Sequence, residues 1–227
     1  MKTNSLYQNI LNIKLKCVGR AGGMAAMVLG LVLAIPVFAG LQPVASSSTA
    51  YGKTLAQWQN TYFRWSLGNI TLPIDANGNA VVGNVVFLPI PQTPGDGTPG
   101  TQNVKLGVGQ AFTLPFFGFL GNSYTDGTPP DDFLPLSVYQ TLQISVTLDG
   151  VTLIDGRNVM QFFSQSSFDP VIPGAAPIIW LQSVSMVHNP LTPGNHVLKL
   201  DVKNTEPGFG YIVEFHNTWN INVQPGR

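Results

Sequence analysis

Thiols are almost missing from this chain. Its one cysteine, Cys17, lies ahead of the apolar run 24–38, and residues after 17 carry none. That excludes a disulfide, a thiolate metal centre and a cysteine nucleophile from the body of the chain. Charge is scarce too, at 10% of residues. Lys2, Lys14, Lys16 and Arg20 precede the apolar run, and no acid occurs before Asp75. Residues 40–227 keep seven Lys+Arg against eleven Asp+Glu, a balance of four negative charges. So few cations give no footprint for nucleic acid or an anionic lipid surface. Also absent are a Gly-x-Ser-x-Gly elbow (Gly121-Asn122-Ser123-Tyr124-Thr125 fails at its last position), a phosphate-cradling glycine loop and a paired-histidine zinc motif. No internal repeat is visible.

What is abundant is punctuation. The 24 Gly and 18 Pro stand between apolar runs without a collagen-like period, so they read as turns, and 44% hydrophobic residues supply one core. Residues 1–39 have the three-part layout of a secretory signal peptide: a basic start, the apolar run MAAMVLGLVLAIPVF, then Val37-Phe38-Ala39 with small residues where a signal peptidase reads. A cut after Ala45 or Ala50 suits the residues as well. The alternative is an uncleaved N-terminal anchor, since the apolar run through Leu41 approaches spanning length. Residues 40–50 read as a linker, and 51–227 as a single domain large enough to rest on its core alone.

The domain opens with residues 54–67, TLAQWQNTYFRWSL. Leu55, Trp58, Tyr62 and Trp65 recur at helical spacing, Thr54 can cap the start and Gly68 can end the helix left-handed. A helix with that face must dock on something. Beyond Gly68 the chain reads as strands and turns. Asp75-Ala76-Asn77-Gly78-Asn79 is a turn, with the start of a calcium loop as its alternative; 81–90 reads as one buried strand; 91–102 is a surface loop. Residues 104–120 hold two strand-like pieces with a bend at Gly107 and Gly109, and Pro115 calls for an edge or a bulge. In 141–155, Leu142, Ile144, Val146 and Leu148 alternate with polar partners, Asp149-Gly150 forms a type I′ turn, and Val151 and Leu153 continue the buried face. Residues 156–176 read as irregular, with Phe162, Phe163 and Phe168 folded under as a flap, and 177–188 as another strand.

For the last hairpin, matching apolar faces across 204–210 pairs Leu198 with Phe215, Leu200 with Val213 and Val202 with Tyr211. That register sets Lys199 against Glu214 and Val197 against His216, with Asn217 the one misfit to the buried parity of Trp219, Ile221 and Val223. The resulting expectation is an all-β fold, mainly an antiparallel β-sandwich or jelly roll, with one amphipathic helix packed on it.

The run Tyr51-Gly52-Lys53-Thr54-Leu55-Ala56-Gln57-Trp58, followed by Trp65-Ser66-Leu67, resembles the opening of a family of uncharacterised secreted bacterial proteins, of the form Gly-x-[Ser/Thr]-x-Ala-x-Trp. Val85-Val86-Phe87-Leu88, Thr147-Leu148-Asp149-Gly150-Val151 and Leu191-Thr192-Pro193-Gly194-Asn195-His196 extend the likeness over most of 51–227. The chain departs from it by lacking mid-chain cysteines and by its Asp-free stretch before residue 75. The resemblance implies an exported domain of unknown activity and transfers no catalytic residue.

Candidate chemistry is sparse. Asp126, Asp131 and Asp132, in the loop 121–132 (GNSYTDGTPPDD), can gather around calcium or form a solvated loop. His188, His196 and His216 with Glu214 can make a metal site or stand as turn and surface residues. Asp131, Asp132, Glu206 and Glu214 are the carboxylates a glycosidase would draw on. Trp58, Trp65, Trp180 and Trp219 can stack on sugars, but the parity of three of them (Trp58, Trp65 and Trp219) points inward. The expectation is therefore an exported non-catalytic β-domain with a structural or binding role, whose partner is an extracellular glycan or an envelope protein. The alternative is a carbohydrate-binding or carbohydrate-cleaving domain, calcium-assisted. Membrane contact enters only through an uncleaved N-terminal segment.

Overall fold

The computed structural model describes residues 43–44, 48–171 (168–171 by backbone alone), 177–205 and 213–224. The signal-peptide reading of 1–39, most of the linker, Glu206, Tyr211 and the Phe168 side chain lie outside the described residues. Helix α1 spans Leu55–Ser66. A reciprocal capping box starts it: Thr54 Oγ1 accepts from the Gln57 amide at 3.2 Å and Gln57 Oε1 accepts from the Thr54 amide at 2.9 Å. Gly68, at φ +73°, ends it.

The chain then builds two five-stranded sheets. Sheet I takes β1 (Val81–Val82), β2 (Val85–Phe87), β4 (Ala111–Asn122), β8 (Ile178–His188) and β7 (Phe163–Val171), in the order β1-β2-β4-β8-β7. Sheet II takes β3 (Asp96–Gly107), β10 (Glu214–Gln224), β9 (Gly194–Lys203), β5 (Gln143–Leu148) and β6 (Val151–Asp155), in the order β3-β10-β9-β5-β6. Pairing is antiparallel except β2 with β4 and β3 with β10. A short α2 (Ser137–Gln140) and a 3-10 turn (Val159–Phe162) complete the elements among the described residues. Side chains from both sheets and from α1 join one hydrophobic core.

The central strands explain the greasiest stretches. Almost every residue of β4 and β8 is buried, whichever way its side chain points, so polar alternation disappears from their sequences. One face of sheet I meets α1. Tyr62 stacks on Phe87 at 5.6 Å between centroids, and its hydroxyl donates to the Leu88 carbonyl at 2.6 Å. Trp58 donates to the Ala50 carbonyl at 2.7 Å. The buried face of α1 is Leu55, Trp58, Gln59, Tyr62 and Phe63, with Trp65 half-buried at its margin. The face is thus rotated from the Leu55-Trp58-Tyr62-Trp65 stripe and includes a buried glutamine.

Several sequence expectations change. The run 81–90 is two short strands about a Gly83-Asn84 turn, because Gly83 takes φ +58°. The expected loop 91–102 contains the first half of β3; Gly and Pro are tolerated there because β3 is an edge strand, where a missing N–H is harmless. Pro115 sits in a central strand at a bulge, not at an edge. Within the region expected to be irregular, residues 163–171 form the edge strand β7, half-exposed over Phe163 to Ser167. Phe162 is buried and Phe163 packs against the core as expected, while 172–176 lie outside the described residues. The 141–155 hairpin turns at Asp149 (φ +51°) and Gly150 (φ +80°), but a bulge after Val146 leaves Val151 exposed while Leu153 and Ile154 are buried. In the last hairpin the observed register differs by four residues. Val202 pairs with Phe215, Leu200 with Asn217 and Leu198 with Trp219. An even shift preserves which side chains face inward, so apolar parity alone does not detect it. Lys203, not Lys199, pairs with Glu214, at 2.8 Å between Nζ and Oε2.

Candidate functional site

The outward side chains of sheet II, near one end, form a face of asparagines. On β10 the alternation Trp219-Asn220-Ile221-Asn222-Val223 sends Trp219, Ile221 and Val223 into the core and leaves the asparagines outside. Asn103 on β3 lies beside Asn220, and Asn195 on β9 beside Asn222. Asn220 Nδ2 donates to Asn103 Oδ1 at 2.9 Å, and Asn222 Nδ2 donates to Asn195 Oδ1 at 2.7 Å. These two cross-strand pairs floor an open groove of about 660 Å³, with Asn77, Asn79 and Lys105 also lining it.

One wall is the 75–79 turn, held by Asp75. Its carboxylate accepts from the amides of Asn77 (2.8 Å) and Asn79 (2.9 Å), from Asn79 Nδ2 (3.2 Å) and from Gln110 Nε2 (2.9 Å). Burial pushes the Asp75 carboxyl up, but the hydrogen bonds from Gln110, Asn79 and Asn77 outweigh it and hold it below the usual carboxylate value. Asn79 Nδ2 also donates to the Lys105 carbonyl at 2.7 Å, tying the turn to β3. The acid expected to start a turn or a calcium loop here is the hub of a turn.

Most of the other candidates are held in internal bonds. In the loop 121–132, Asp131 accepts from the Asn122 amide at 2.9 Å and from the Tyr124 hydroxyl at 3.0 Å, while its own carbonyl accepts from Trp180 Nε1 at 2.6 Å. Asp126 is exposed, and hydrogen bonds from Thr128 hold its carboxyl below the usual value; Asp132 is exposed. Among the described residues no group of three or more His, Cys, Asp or Glu side chains is arranged to hold a metal ion.

The histidines fall apart in space. His188 is in sheet I, stacked on Phe112 at 5.0 Å between centroids. His196 points into the molecule from β9, its Nδ1 2.6 Å from Asp149 Oδ2 and its Nε2 2.9 Å from the Thr192 carbonyl. His216 lies farther along β10, beside Asp201 (2.7 Å) and not opposite Val197 as expected. Glu214 approaches the other nitrogen of His216 at 3.8 Å while bonding Lys203, so the two carboxylates bracket the ring and do not converge on one point. Of the glycosidase carboxylates, Asp131 belongs to the end of sheet I and Glu214 to sheet II. Trp58, Trp180 and Trp219 are buried.

Sequence reasoning misses the asparagine face. Its signal is nonetheless present: between Trp219 and Val223 the two residues skipped by the buried parity of β10, Asn220 and Asn222, are asparagines. Asn103 stays hidden because it falls between the Gly/Pro-rich stretch 91–102, which reads as a loop, and the strand-like run that starts at Val104.

Fold and face together define a two-sheet β-domain with an amide-lined outer groove. Comparison with known proteins adds no narrower class, since no protein-family model matches the chain and no curated protein matches its sequence. Among the described residues no helix is long and apolar enough to cross a membrane.

Proposed function

We propose that this chain is an exported, non-catalytic β-domain, its sheets packed as a sandwich beneath α1, that acts by binding outside the cell or in the envelope. The observation that carries this reading is the amide-lined groove. Asparagine offers hydrogen-bond donors and acceptors but no proton to exchange in the ordinary pH range. His196, which also lines the groove, is buried, with its ring nitrogens held by Asp149 and the Thr192 carbonyl, so the groove is furnished chiefly to hold a ligand. The engagement of Asp131, Asp149, Asp201 and Glu214 with neighbouring side chains supports the same reading. Export rests on the layout of residues 1–39, and the likeness to secreted bacterial proteins agrees with it.

Intact-mass measurement and fractionation of the native protein test the proposal. The expected mature N-terminus follows Ala39, Ala45 or Ala50, in the envelope or medium. A full-length species confined to the cytosol would sink the export half. Turnover of a glycoside, ester or peptide that is lost on replacing one carboxylate would sink the non-catalytic half. Millimolar calcium is expected to leave the thermal midpoint unchanged, because Asp131 is already held by Tyr124 and the Asn122 amide; a rise would place a cation among Asp126, Asp131 and Asp132.

A further inference from the structure

We infer that the occupant of the asparagine face is a neutral polyhydroxylated chain, a glycan, lying obliquely across β3, β10 and β9; this rests on the binding reading above. The reason is the way the amides are paired. When Asn220 donates to Asn103, the Asn103 amide keeps both N–H donors and Asn220 keeps its carbonyl oxygen. Asn222 and Asn195 repeat the arrangement one step along the strand. Each rung therefore presents donors and an acceptor side by side, already oriented by the bond between its members. A hydroxyl both donates and accepts, so vicinal hydroxyls complement such a rung.

The rungs stand roughly 6.7 Å apart along β10, the two-residue step of a strand. One lies toward β3 and the other toward β9, so a ligand touching both crosses the strands at a slant. Asn77 on the Asp75-braced turn adds a further amide at the wall, and Asn79, whose Nδ2 donates to Asp75 and to the Lys105 carbonyl, adds its side-chain oxygen.

The same residues disfavour other occupants. Among the described residues, Lys105 is the one lysine or arginine lining the groove and no carboxylate lines it, so neither a polyanion nor a polycation finds complementary charge. Extended peptides gain their specificity from pockets that take alternate side chains. Here the lining offers one exposed apolar side chain, Val197, while Val104 and Ile221 are buried. No Trp, Tyr or Phe among the described residues lines the groove to stack on a sugar, so binding depends on many modest hydrogen bonds and strengthens with oligomer length.

The test is a titration of the full-length protein with neutral oligosaccharides of one to six units (β-1,4-glucan, α-1,4-glucan and β-1,4-linked N-acetylglucosamine), following the asparagine side-chain amide signals by NMR. At least one series is expected to shift the Asn103, Asn195, Asn220 and Asn222 side-chain signals with a common midpoint that tightens with length. Asn220→Ala and Asn222→Ala should each weaken that binding about 2- to 12-fold, the loss of one neutral hydrogen bond. Gln143→Ala, an exposed change elsewhere on sheet II, should leave it alone. Binding of a Gly/Ser hexapeptide through these amides, with no response to any sugar, would overturn the glycan assignment and leave the binding reading standing. Glycan binding that shifts other signals and ignores both asparagine substitutions would overturn the groove in the same way. A wholly inert protein across sugars and peptides overturns both.

Discussion

Gly121 shows how a single residue is dictated by a neighbour far away in the chain. A Cβ built there would lie 1.8 Å from the Trp180 ring, and that ring is anchored by its bond to the Asp131 carbonyl. Gly121→Ala is expected to cost about 2–3 kcal/mol by overpacking, read as a lower urea midpoint. Beneath α1 the residues are unexpectedly polar. Thr113 faces the helix, accepting from Gln59 Nε2 at 3.3 Å and donating to the Met186 carbonyl at 2.9 Å. Its pairing with Val187 sets Ser185 and Ser183 on the same face, where their hydroxyls are buried and have no hydrogen-bond partner among the described residues. Ser185→Ala should therefore leave stability unchanged or raise it by up to about 1 kcal/mol, whereas Thr113→Val should lose about 1–2 kcal/mol. Chemical denaturation of the two variants side by side separates them. None of this is legible in the sequence. A serine in a buried strand looks the same there as one at the surface, and only the helix overhead makes the difference.

At the scale of elements, local chemistry is readable and partner choice is not. The capping box of α1, the Asp149-Gly150 turn and the Asp75–Asn79 turn all arise from residues within a few positions of one another. The pairing of β9 with β10 depends on a loop length, and side-chain parity is blind to a shift of four. The Asp75 turn carries a pH prediction. Its folded-state pKa lies below its unfolded value, so the carboxylate contributes stability in full above the unfolded carboxylate range near pH ~4. That contribution is lost as pH falls through the folded value. Asp75→Asn should thus be less stable than the parent at pH 7, and the gap should close as pH falls through the folded value. Urea midpoints at pH 7 and along an acid series measure it. The same substitution should loosen the groove wall, since Asn77 and Asn79 are held by this carboxylate.

For the molecule as a whole, the last strand is a keystone. β10 lies between β3 and β9, and its Trp219 is fully buried with Nε1 donating to the Pro89 carbonyl at 2.8 Å. Removing it would split sheet II and leave β3 without its neighbour in that sheet. A chain ending before Glu214 should lose cooperative thermal unfolding and near-ultraviolet circular dichroism altogether. Folding should fall in the millisecond-to-second range, because β3 and β10 are parallel and far apart in sequence.

Composition and alternation by themselves determined that this is a β-rich chain with a tryptophan-bearing helix and a cysteine-free body, because those properties depend on neighbours one to four residues away. The tertiary structure decided which strands share a sheet, that a Ser-rich and a Gly/Pro-rich segment become edge strands, and that asparagines from β3, β9 and β10 meet on one face. Those outcomes depend on contacts between residues tens to more than a hundred positions apart, such as Asn195 with Asn222 and Asn103 with Asn220, for which a single sequence carries no periodic signal.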